Sequence, residues 1–279
     1  MTSKNLQTFY GLKWNPFTPD VPVEALCPSA AITSFCRRVQ AQLSDGGFAL
    51  ITGDPGTGKS VALRLLSHHL SALPDVTVGV LTRPQSRLGD FYRELGQLFG
   101  VSLTPHNRWS SFADLRQKWQ AHIDSTLFRP VLLVDEAQEL SPPVISEIRI
   151  LQSSQFDSRS LLSVVLAGDA RLTALFSRPE FLPVASRIRT RLVLEPTSPK
   201  ELLDTLRYSL ESAGQPSLMT SGLMNTLAEH AIGNFRVLSI MASELLAVGL
   251  DRQLPQLDEK LYLELFTPKA KPRAAARPA

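Results

Sequence analysis

The sequence of 279 residues predicts an α/β domain with a parallel sheet covered by helices on both faces, followed by a smaller domain made only of helices. Two observations predict this fold class. Short apolar segments alternate with amphipathic segments up to about residue 195, which is typical of repeated β/α units. After the segment 196–199 the strand-like segments stop and the remaining chain has helical periodicity. We therefore place a domain boundary near residue 196.

The individual elements follow from the same patterns. The predicted strands consist mainly of apolar and β-branched residues and cover 48–52, 76–81, 130–135, 161–167 and 190–194. The helical segments between them cover 58–73, 88–99, 111–126 and 143–156. In the second domain, helices are predicted over 199–212, 220–231 and 235–250. Since the sheet is predicted to be parallel, the carboxyl ends of its strands should share one edge.

Composition excludes several classes of protein. Apolar residues make up 43% of the chain and charged residues 20%, which argues against a largely disordered or fibrous protein. The two cysteines, Cys27 and Cys36, are too few for a disulfide framework or a Cys-rich zinc site. The chain has no long apolar run and no signal-like start, so we expect a cytoplasmic protein that is not inserted in a membrane.

The formal net charge of +3 is concentrated at the C-terminus. Residues 268–279 contain four basic residues and no acidic one, so residues 1–267 are together close to neutral. We expect a basic, disordered tail over 267–279, with an arm that contacts phosphates or an acidic partner as the alternative. Any DNA binding by the folded part must therefore come from a local basic patch or from assembly of several subunits.

A glycine-rich segment between the first strand and the first helix has the pattern of a phosphate-binding loop. Residues 53–60, Gly-Asp-Pro-Gly-Thr-Gly-Lys-Ser, match G-x-x-x-x-G-K-[ST] at every fixed position. Glycines allow the backbone to wrap a phosphate, and the following helix directs the positive end of its dipole at the same anion. We predict that Lys59 contacts the β- and γ-phosphates and that Ser60 binds Mg²⁺. The predicted nucleotide-binding residues are Gly53, Asp54, Pro55, Gly56, Thr57, Gly58, Lys59, Ser60 and Val61.

Two acidic residues end the third predicted strand. The strand should bring Asp135 to the carboxyl edge of the sheet, where it can hold Mg²⁺ through water. Glu136 can then polarise the attacking water, whereas an isolated Asp-Glu pair would more simply be a solvated turn. Because a water-activating glutamate favours hydrolysis over transfer to an acceptor, the sequence predicts an ATPase that uses ATP and Mg²⁺.

These motifs resemble those of an AAA+ ATPase, and more narrowly those of the ExeA-like group, general secretion pathway protein A and its relatives. That group overlaps the Mu B-like and TniB-like ATPases of DNA transposition. The resemblance covers about residues 8–250, begins with Phe-Tyr-Gly-Leu-Lys-Trp-Asn-Pro-Phe at 9–17, and includes Val-Asp-Glu-Ala-Gln at 134–138. It implies a P-loop AAA+ domain over 1–195, a helical lid over 196–266, and a homo-oligomeric ring or filament with ATP between subunits.

The resemblance also implies roles for polar residues outside the two motifs. Asp169 stands near the family's γ-phosphate sensor, but an acid beside a triphosphate is unfavourable, so capping a turn or orienting an arginine is the alternative. Arg236 resembles the second sensor, with an ordinary helix-terminal arginine as the alternative. Arg187 resembles the finger that acts on a neighbouring subunit's nucleotide, with Arg189 and Arg191 as alternates and a solvated edge strand as the other explanation.

The same resemblance implies a function on DNA. We expect ATP-dependent assembly on double-stranded DNA, selection of a target, and recruitment or activation of a transposase. Arg83 and Arg87, in the loop 82–87, are the candidate DNA-facing residues, and simple surface exposure is the alternative. A soluble ExeA-like ATPase serving secretion or envelope assembly is the alternative function, less favoured because this chain carries no membrane segment or periplasmic domain. A nucleotide-binding switch with little turnover is a third hypothesis.

Overall fold

The computed structural model describes residues 3–101, 108–126, 129–155 and 158–266. The predicted basic tail lies outside these residues. The described chain divides into two compact units. One contains Leu26–Pro196 and is called the α/β unit; the other combines Met1–Ala25 with Thr197–Ala279 and is called the helical unit.

The α/β unit contains the predicted parallel sheet. Within the described residues the sheet has five strands in the order β2-β3-β6-β1-β7, and every neighbouring pair is parallel. The strands are β1 (Gly47–Gly53), β2 (Val76–Leu81), β3 (Arg129–Val134), β6 (Ser163–Gly168) and β7 (Ile188–Leu194), while β4 (Ser153–Ser154) and β5 (Arg159–Ser160) form a separate short antiparallel pair. The helices are α2 (Ala30–Gln42), α3 (Lys59–Ser71), α4 (Leu88–Phe99), α5 (Arg108–Thr126), α6 (Pro142–Gln152), α7 (Ala170–Phe176) and α8 (Leu182–Ala185).

Apolar side chains are buried on both faces of the sheet, which explains why its central strands lack a polar face. Successive residues of a strand point to opposite faces. Leu50 thus joins a core formed with side chains of α4 to α8, whereas Ile51 joins a core formed with α2 and α3. The prediction of a sheet covered on both sides is therefore confirmed.

The register of the parallel strands sets where the polar residues meet. Thr52 is paired with Gly168, and Val134 with Leu166, so β1, β3 and β6 end at the same edge of the sheet. The chain leaves this edge into the glycine-rich loop, the two acidic residues and the residue Asp169. We call it the carboxyl edge, and the opposite one the amino edge.

The helical unit consists of α9 (Pro199–Ser212), α10 (Ser221–His230), α11 (Phe235–Asp251) and α12 (Glu259–Phe266), together with α1 (Ser3–Tyr10). Its core includes Tyr10, Leu12 and Phe17, packed with apolar side chains of α9 to α12. Burial raises the pKa of Tyr10 to about 12. This grouping differs from the predicted domain 1–195, because these apolar side chains bury themselves against helices that follow far along the chain.

No helix among the described residues is both long and apolar enough to cross a membrane.

Helix α9 begins with a capping box whose removal should be measurable. Ser198 Oγ accepts a hydrogen bond from the Glu201 backbone N–H, and the Glu201 carboxylate accepts one from the Ser198 N–H, both at 3.3 Å. We expect Ser198→Ala to lower the free energy of unfolding by about 1 kcal/mol, because it leaves a helix-terminal N–H without its acceptor. Denaturant unfolding measures this loss. Ser212→Ala, in the last turn of the same helix, is the matched control, and an equal loss there would contradict the capping explanation.

Candidate nucleotide-binding site

The glycine-rich loop has a backbone that only glycines adopt easily. Gly56 and Gly58 have φ angles of 86° and 104°, in the left-handed region. Gly53 is required for a different reason, since a Cβ atom there would lie 2.5 Å from the carbonyl oxygen of Leu194. The loop leads directly into α3, whose first-turn N–H groups have no partner within the helix and can face an anion.

Lys59 is the first residue of α3 and lies across the loop. Its side chain is only 7% exposed, and its Nζ donates to the carbonyl oxygens of Gly53 at 2.8 Å and Asp54 at 3.0 Å. The Thr57 hydroxyl donates to the same Asp54 carbonyl at 2.8 Å. Of the three N–H groups of the ammonium, two are used in these described contacts, which leaves one for a phosphate oxygen.

Ser60 and Asp135 come together although they are 75 residues apart. The Ser60 hydroxyl donates to Asp135 Oδ2 at 2.8 Å, and Asp135 Oδ1 accepts the Glu136 backbone N–H at 2.9 Å. A hydroxyl and a carboxylate are the oxygen donors that Mg²⁺ prefers, with water and phosphate oxygens completing its shell. One hydroxyl and one carboxylate leave most of the metal's shell to phosphate and water oxygens, so this donor set fits Mg²⁺ bound together with a nucleotide.

Glu136 follows Asp135 at the carboxyl edge, where its side chain is exposed. Its backbone is left-handed, with a φ angle of 50°, and a short 3-10 helix, Ala137–Glu139, begins directly after it. One carboxylate oxygen of Glu136 accepts a hydrogen bond from Gln138 Nε2. The Gln138 Oε1 atom in turn lies 3.4 Å from the backbone nitrogen of Asp169, which donates to it.

Asp169 both caps a helix and binds an arginine. Its Oδ1 accepts the Arg171 backbone N–H at 2.9 Å and thereby caps α7. Its carboxylate also forms an ion pair with the Arg171 guanidinium at 2.9 Å, and the same guanidinium contacts Glu139 at 2.9 Å. The hydrogen bond from Arg171 lowers the pKa of Asp169, opposed by partial burial. These contacts match the alternatives of capping and arginine orientation, while a contact with phosphate remains a prediction.

The three candidate finger arginines lie in β7 or directly before it. Arg189 and Arg191 are exposed within β7 and alternate with the buried residues Thr190 and Leu192. Arg187 precedes the strand, and its guanidinium donates to the carbonyl of Pro183. Arg189 and Arg191 therefore lie on one face of β7, whereas Arg187 lies outside the regular strand.

The register separates Arg187 and Arg189 from the phosphate loop of the same chain. Ile188 is paired with Phe48, five residues before Gly53, which corresponds to about 16 Å along the strand. Arg189 forms an ion pair with Asp45 at 3.1 Å. At this amino edge a cavity of about 900 Å³ is lined by serines and arginines, including Ser44, Ser160, Arg129, Arg159, Arg187 and Arg189.

The remaining predicted residues lie elsewhere. Arg236 is the second residue of α11 in the helical unit and is exposed, and its backbone N–H donates to the capping side chain of Asn234 at 3.0 Å. Arg83 and Arg87 are exposed in the loop that follows β2, a strand next to β3 in the sheet. The structure thus groups the loop, Ser60, Asp135, Glu136 and Asp169 at one edge.

Two residues that were not predicted from the sequence, Gln138 and Arg171, link Glu136, Asp169 and Glu139. Gln138 belongs to the motif at 134–138, and its place two residues after Glu136 was the available signal. Arg171 lies two residues after Asp169. Because this spacing is common in helix caps and turns, it gave no specific signal of an ion pair.

This chain resembles known proteins in its sequence and in its fold. A family model described as an AAA domain matches residues 40–176. General secretion pathway protein A of Aeromonas hydrophila is 30% identical over 251 residues, which cover 88% of this chain and 45% of that protein. The chain therefore spans about half the length of this relative.

Solved structures with a similar fold share little sequence identity with this chain. Cdc6p from Pyrobaculum aerophilum has a TM-score of 0.69 at 14% identity, and the similarity covers 87% of this chain and 67% of the Cdc6p chain. Aeropyrum pernix ORC1 in complex with DNA has a TM-score of 0.66 at 18% identity, and the similarity covers 88% of this chain and 67% of the ORC1 chain. Domain III of the Thermotoga maritima replication initiation protein DnaA has a TM-score of 0.61 at 18% identity, and the similarity covers 89% of this chain and 96% of the DnaA chain. These similarities confirm the predicted P-loop AAA+ fold.

Proposed function

We propose that this chain, whose fold is that of the AAA+ ATPases, hydrolyses ATP to ADP and phosphate with the help of Mg²⁺. The observation that carries the proposal is the 2.8 Å hydrogen bond from Ser60 to Asp135, which joins the phosphate loop to the acidic residues. This contact assembles an oxygen-donor set for the metal beside Glu136, the candidate base. A nucleotide-binding switch would need no such base.

Each residue of the site has a separate role in the proposed reaction. The loop N–H groups and Lys59 bind the phosphates, and Ser60 and Asp135 would hold Mg²⁺, which when bound neutralises charge on the phosphate oxygens. Glu136 accepts a proton from the water that attacks the γ-phosphorus. The bond from that phosphorus to the β,γ-bridging oxygen breaks, which releases ADP and inorganic phosphate.

Release of phosphate from ATP, followed with and without a chelator of divalent cations, tests this proposal. We expect turnover that requires Mg²⁺ and saturates with ATP. Nucleotide binding without measurable turnover, under conditions in which the protein is folded and assembled, would contradict hydrolysis and favour the switch.

We propose further that hydrolysis requires a homo-oligomer, either a ring or a filament. Arg187 and Arg189 lie at or near the amino edge, about 16 Å along the strand direction from the loop of their own chain. An arginine that stabilises phosphoryl charge must touch the phosphate, so these residues would act on the nucleotide of a neighbouring subunit. Mixing Lys59→Ala subunits with Arg187→Ala subunits should then restore part of the activity that each variant lacks alone.

For the biological process, we propose a regulator of DNA transposition that assembles with ATP on double-stranded DNA and hands the target to a transposase. The exposed Arg83 and Arg87 support a DNA contact, and the solved structures with a similar fold include a protein described in complex with DNA. Binding to random duplex DNA with ADP, with ATP and with a slowly hydrolysed analogue is the test. We expect binding and assembly that require the triphosphate.

A soluble ATPase serving secretion or envelope assembly is the second candidate, favoured by the 30% identity to General secretion pathway protein A. Intact ATPase activity with no DNA binding in any nucleotide state would contradict the transposition proposal and favour this one. Neighbouring genes also separate the two: a transposase gene supports the first, and secretion genes support the second.

The loop 82–87 provides a specific prediction for the DNA proposal. If Arg83 and Arg87 each contact a phosphate, replacing either one with alanine should weaken DNA binding and reduce the slope of log affinity against log salt by about 1. The measurement is DNA affinity at several salt concentrations with the slowly hydrolysed analogue. Arg207→Ala removes an exposed arginine of α9 near Asp204 and is the matched control. An unchanged slope in both loop variants would exclude this loop as the contact.

A further inference from the structure

We infer that Gln138 is a positioning residue for Glu136, and that its side-chain amide sets the orientation of the carboxylate that accepts the proton from the attacking water. The inference rests on the proposed hydrolysis of ATP. It concerns a residue that neither binds phosphate nor holds Mg²⁺ in the mechanism above, but contacts the candidate base directly.

The backbone that carries Gln138 is anchored in the core. The short helix Ala137–Glu139 begins directly after Glu136, and Ala137 is fully buried, as is nearly all of Leu140 behind it. Gln138 lies between these two anchors with a half-buried side chain. Its amide therefore starts from a fixed position, whereas the side chain of Glu136 is exposed and would otherwise move between rotamers.

The two ends of the Gln138 amide contact two different strand ends. Nε2 donates to Glu136 at the end of β3, and Oε1 accepts the Asp169 backbone N–H, 3.4 Å away, at the end of β6. The amide also packs against Gly168 so closely that a Cβ atom at that position would lie 2.4 Å from Oε1. Gln138 thus joins the candidate base to the backbone of the neighbouring strand.

This arrangement leaves one oxygen of Glu136 for the substrate water. Since Gln138 occupies the other oxygen, the carboxylate has one defined direction at the carboxyl edge. Orientation matters because proton transfer requires the base within hydrogen-bond reach of the water, and a displacement of about 1 Å can cost roughly 100-fold in rate.

A second set of contacts keeps the surroundings in place when the amide is removed. Arg171 binds both Asp169 and Glu139 at 2.9 Å, so the short helix and the start of α7 remain joined without Gln138. A substitution of Gln138 should therefore disturb the orientation of Glu136 more than it disturbs the fold.

The test compares steady-state hydrolysis by wild type, Gln138→Leu and Gln138→Glu. Leucine is similar in size to glutamine but forms neither hydrogen bond. Glutamate keeps an acceptor for the Asp169 N–H but replaces the amide donor by a carboxylate with the same charge as Glu136. We expect kcat to fall by roughly 10- to 100-fold in both variants, with the KM for ATP and its Kd within about twofold of wild type. Gln40→Leu removes an exposed glutamine that contacts His69 and is the matched control for the substitution itself.

A double-mutant cycle with Glu136→Gln separates positioning from a general structural effect. If Gln138 acts through the carboxylate, Gln138→Leu should change the residual rate of the Glu136→Gln protein by less than about twofold. An equal loss in both backgrounds, or a rise in KM that matches the fall in kcat, overturns the inference, as does a kcat of Gln138→Leu within about twofold of wild type. Absence of hydrolysis in the wild-type protein overturns the proposed function as well, which distinguishes the two failures.

Discussion

Replacing Glu136 with glutamine is expected to lower kcat for ATP by about 10²- to 10⁴-fold, because the residue that accepts the proton from water is lost while its shape is kept. Nucleotide affinity should stay close to that of wild type, since the phosphate loop, Ser60 and Asp135 make their contacts without the Glu136 carboxylate. The protein should then accumulate in its ATP-bound form, so assembly and DNA binding with ATP should persist longer than in wild type. Single-turnover hydrolysis, with nucleotide affinity measured in parallel, checks this expectation.

The control for Glu136→Gln makes the same chemical change at an exposed ion pair. Glu264 contacts Arg252 at 2.5 Å in the helical unit, and Glu264→Gln should leave hydrolysis unchanged. If Glu136→Gln retained more than about a tenth of the wild-type kcat, Glu136 would not be the general base. If it lost nucleotide affinity as well, its role would include binding.

Lys59→Ala should abolish both hydrolysis and the dependence of assembly on ATP. The buried ammonium is held by two loop carbonyls and directed at the site of the phosphates, so its loss removes a charged hydrogen bond that contributes about 1.5–3 kcal/mol. The affinity for ATP should therefore fall by roughly 10- to 100-fold, and hydrolysis by more, since charge on the transferring group is also left without its partner. Calorimetric titration with ATP, together with the size distribution of the same samples, measures both effects.

A matched lysine separates the phosphate role from a structural one. Lys118 Nζ also donates to a backbone carbonyl, that of Gly100 at 2.7 Å, but at the end of a helix away from the loop. Lys118→Ala should leave ATP affinity unchanged. An ATP affinity of Lys59→Ala equal to that of wild type would contradict the phosphate role, and a lower unfolding temperature in Lys59→Ala but not in Lys118→Ala would indicate that the two carbonyl contacts stabilise the loop itself.

Local patterns determined several elements without any knowledge of the fold. The predicted bounds of β2, α4 and α9 are those of the structure, because prolines, glycines and clear periodicity mark their ends. The predicted helix 143–156 instead ends at Gln152, directly before β4 begins at Ser153. The Gln152 carbonyl accepts the Leu161 N–H, and Arg116 from α5 donates to the carbonyls of Ile150 and Ser153. These partners come from other segments, which periodicity does not report.

The assignment of the N-terminal residues shows the same limit. No element was predicted over residues 30–42, although Ile32, Phe35 and Val39 have helical spacing and are buried in α2. Residues 1–25 were predicted to belong to the nucleotide-binding domain, whereas Tyr10 and Phe17 are packed in the helical unit. Apolar residues indicate that a segment is buried, but not against which partner.

Some parts of the candidate site could likewise be predicted from the sequence, and others could not. The phosphate loop and the two acidic residues could be predicted because each is a local pattern whose chemistry depends on neighbours in the chain. The meeting of Ser60 with Asp135 could also be predicted, since it follows from two parallel strands ending at one edge. The links through Gln138 and Arg171 could not, because each depends on the separation of two strand ends and on side-chain rotamers.

The sequence by itself therefore determined the type of fold, the loop that fits a phosphate and the acidic residues beside it, since these depend on residue type and spacing over short stretches. Only the tertiary structure decided the strand order β2-β3-β6-β1-β7, the amino-edge position of Arg187 and the contact between Gln138 and Glu136. The physical reason is that alternation of strands and helices is compatible with several strand orders. In the order that forms, apolar side chains are buried on both faces of the sheet, and residues far apart in the chain come together.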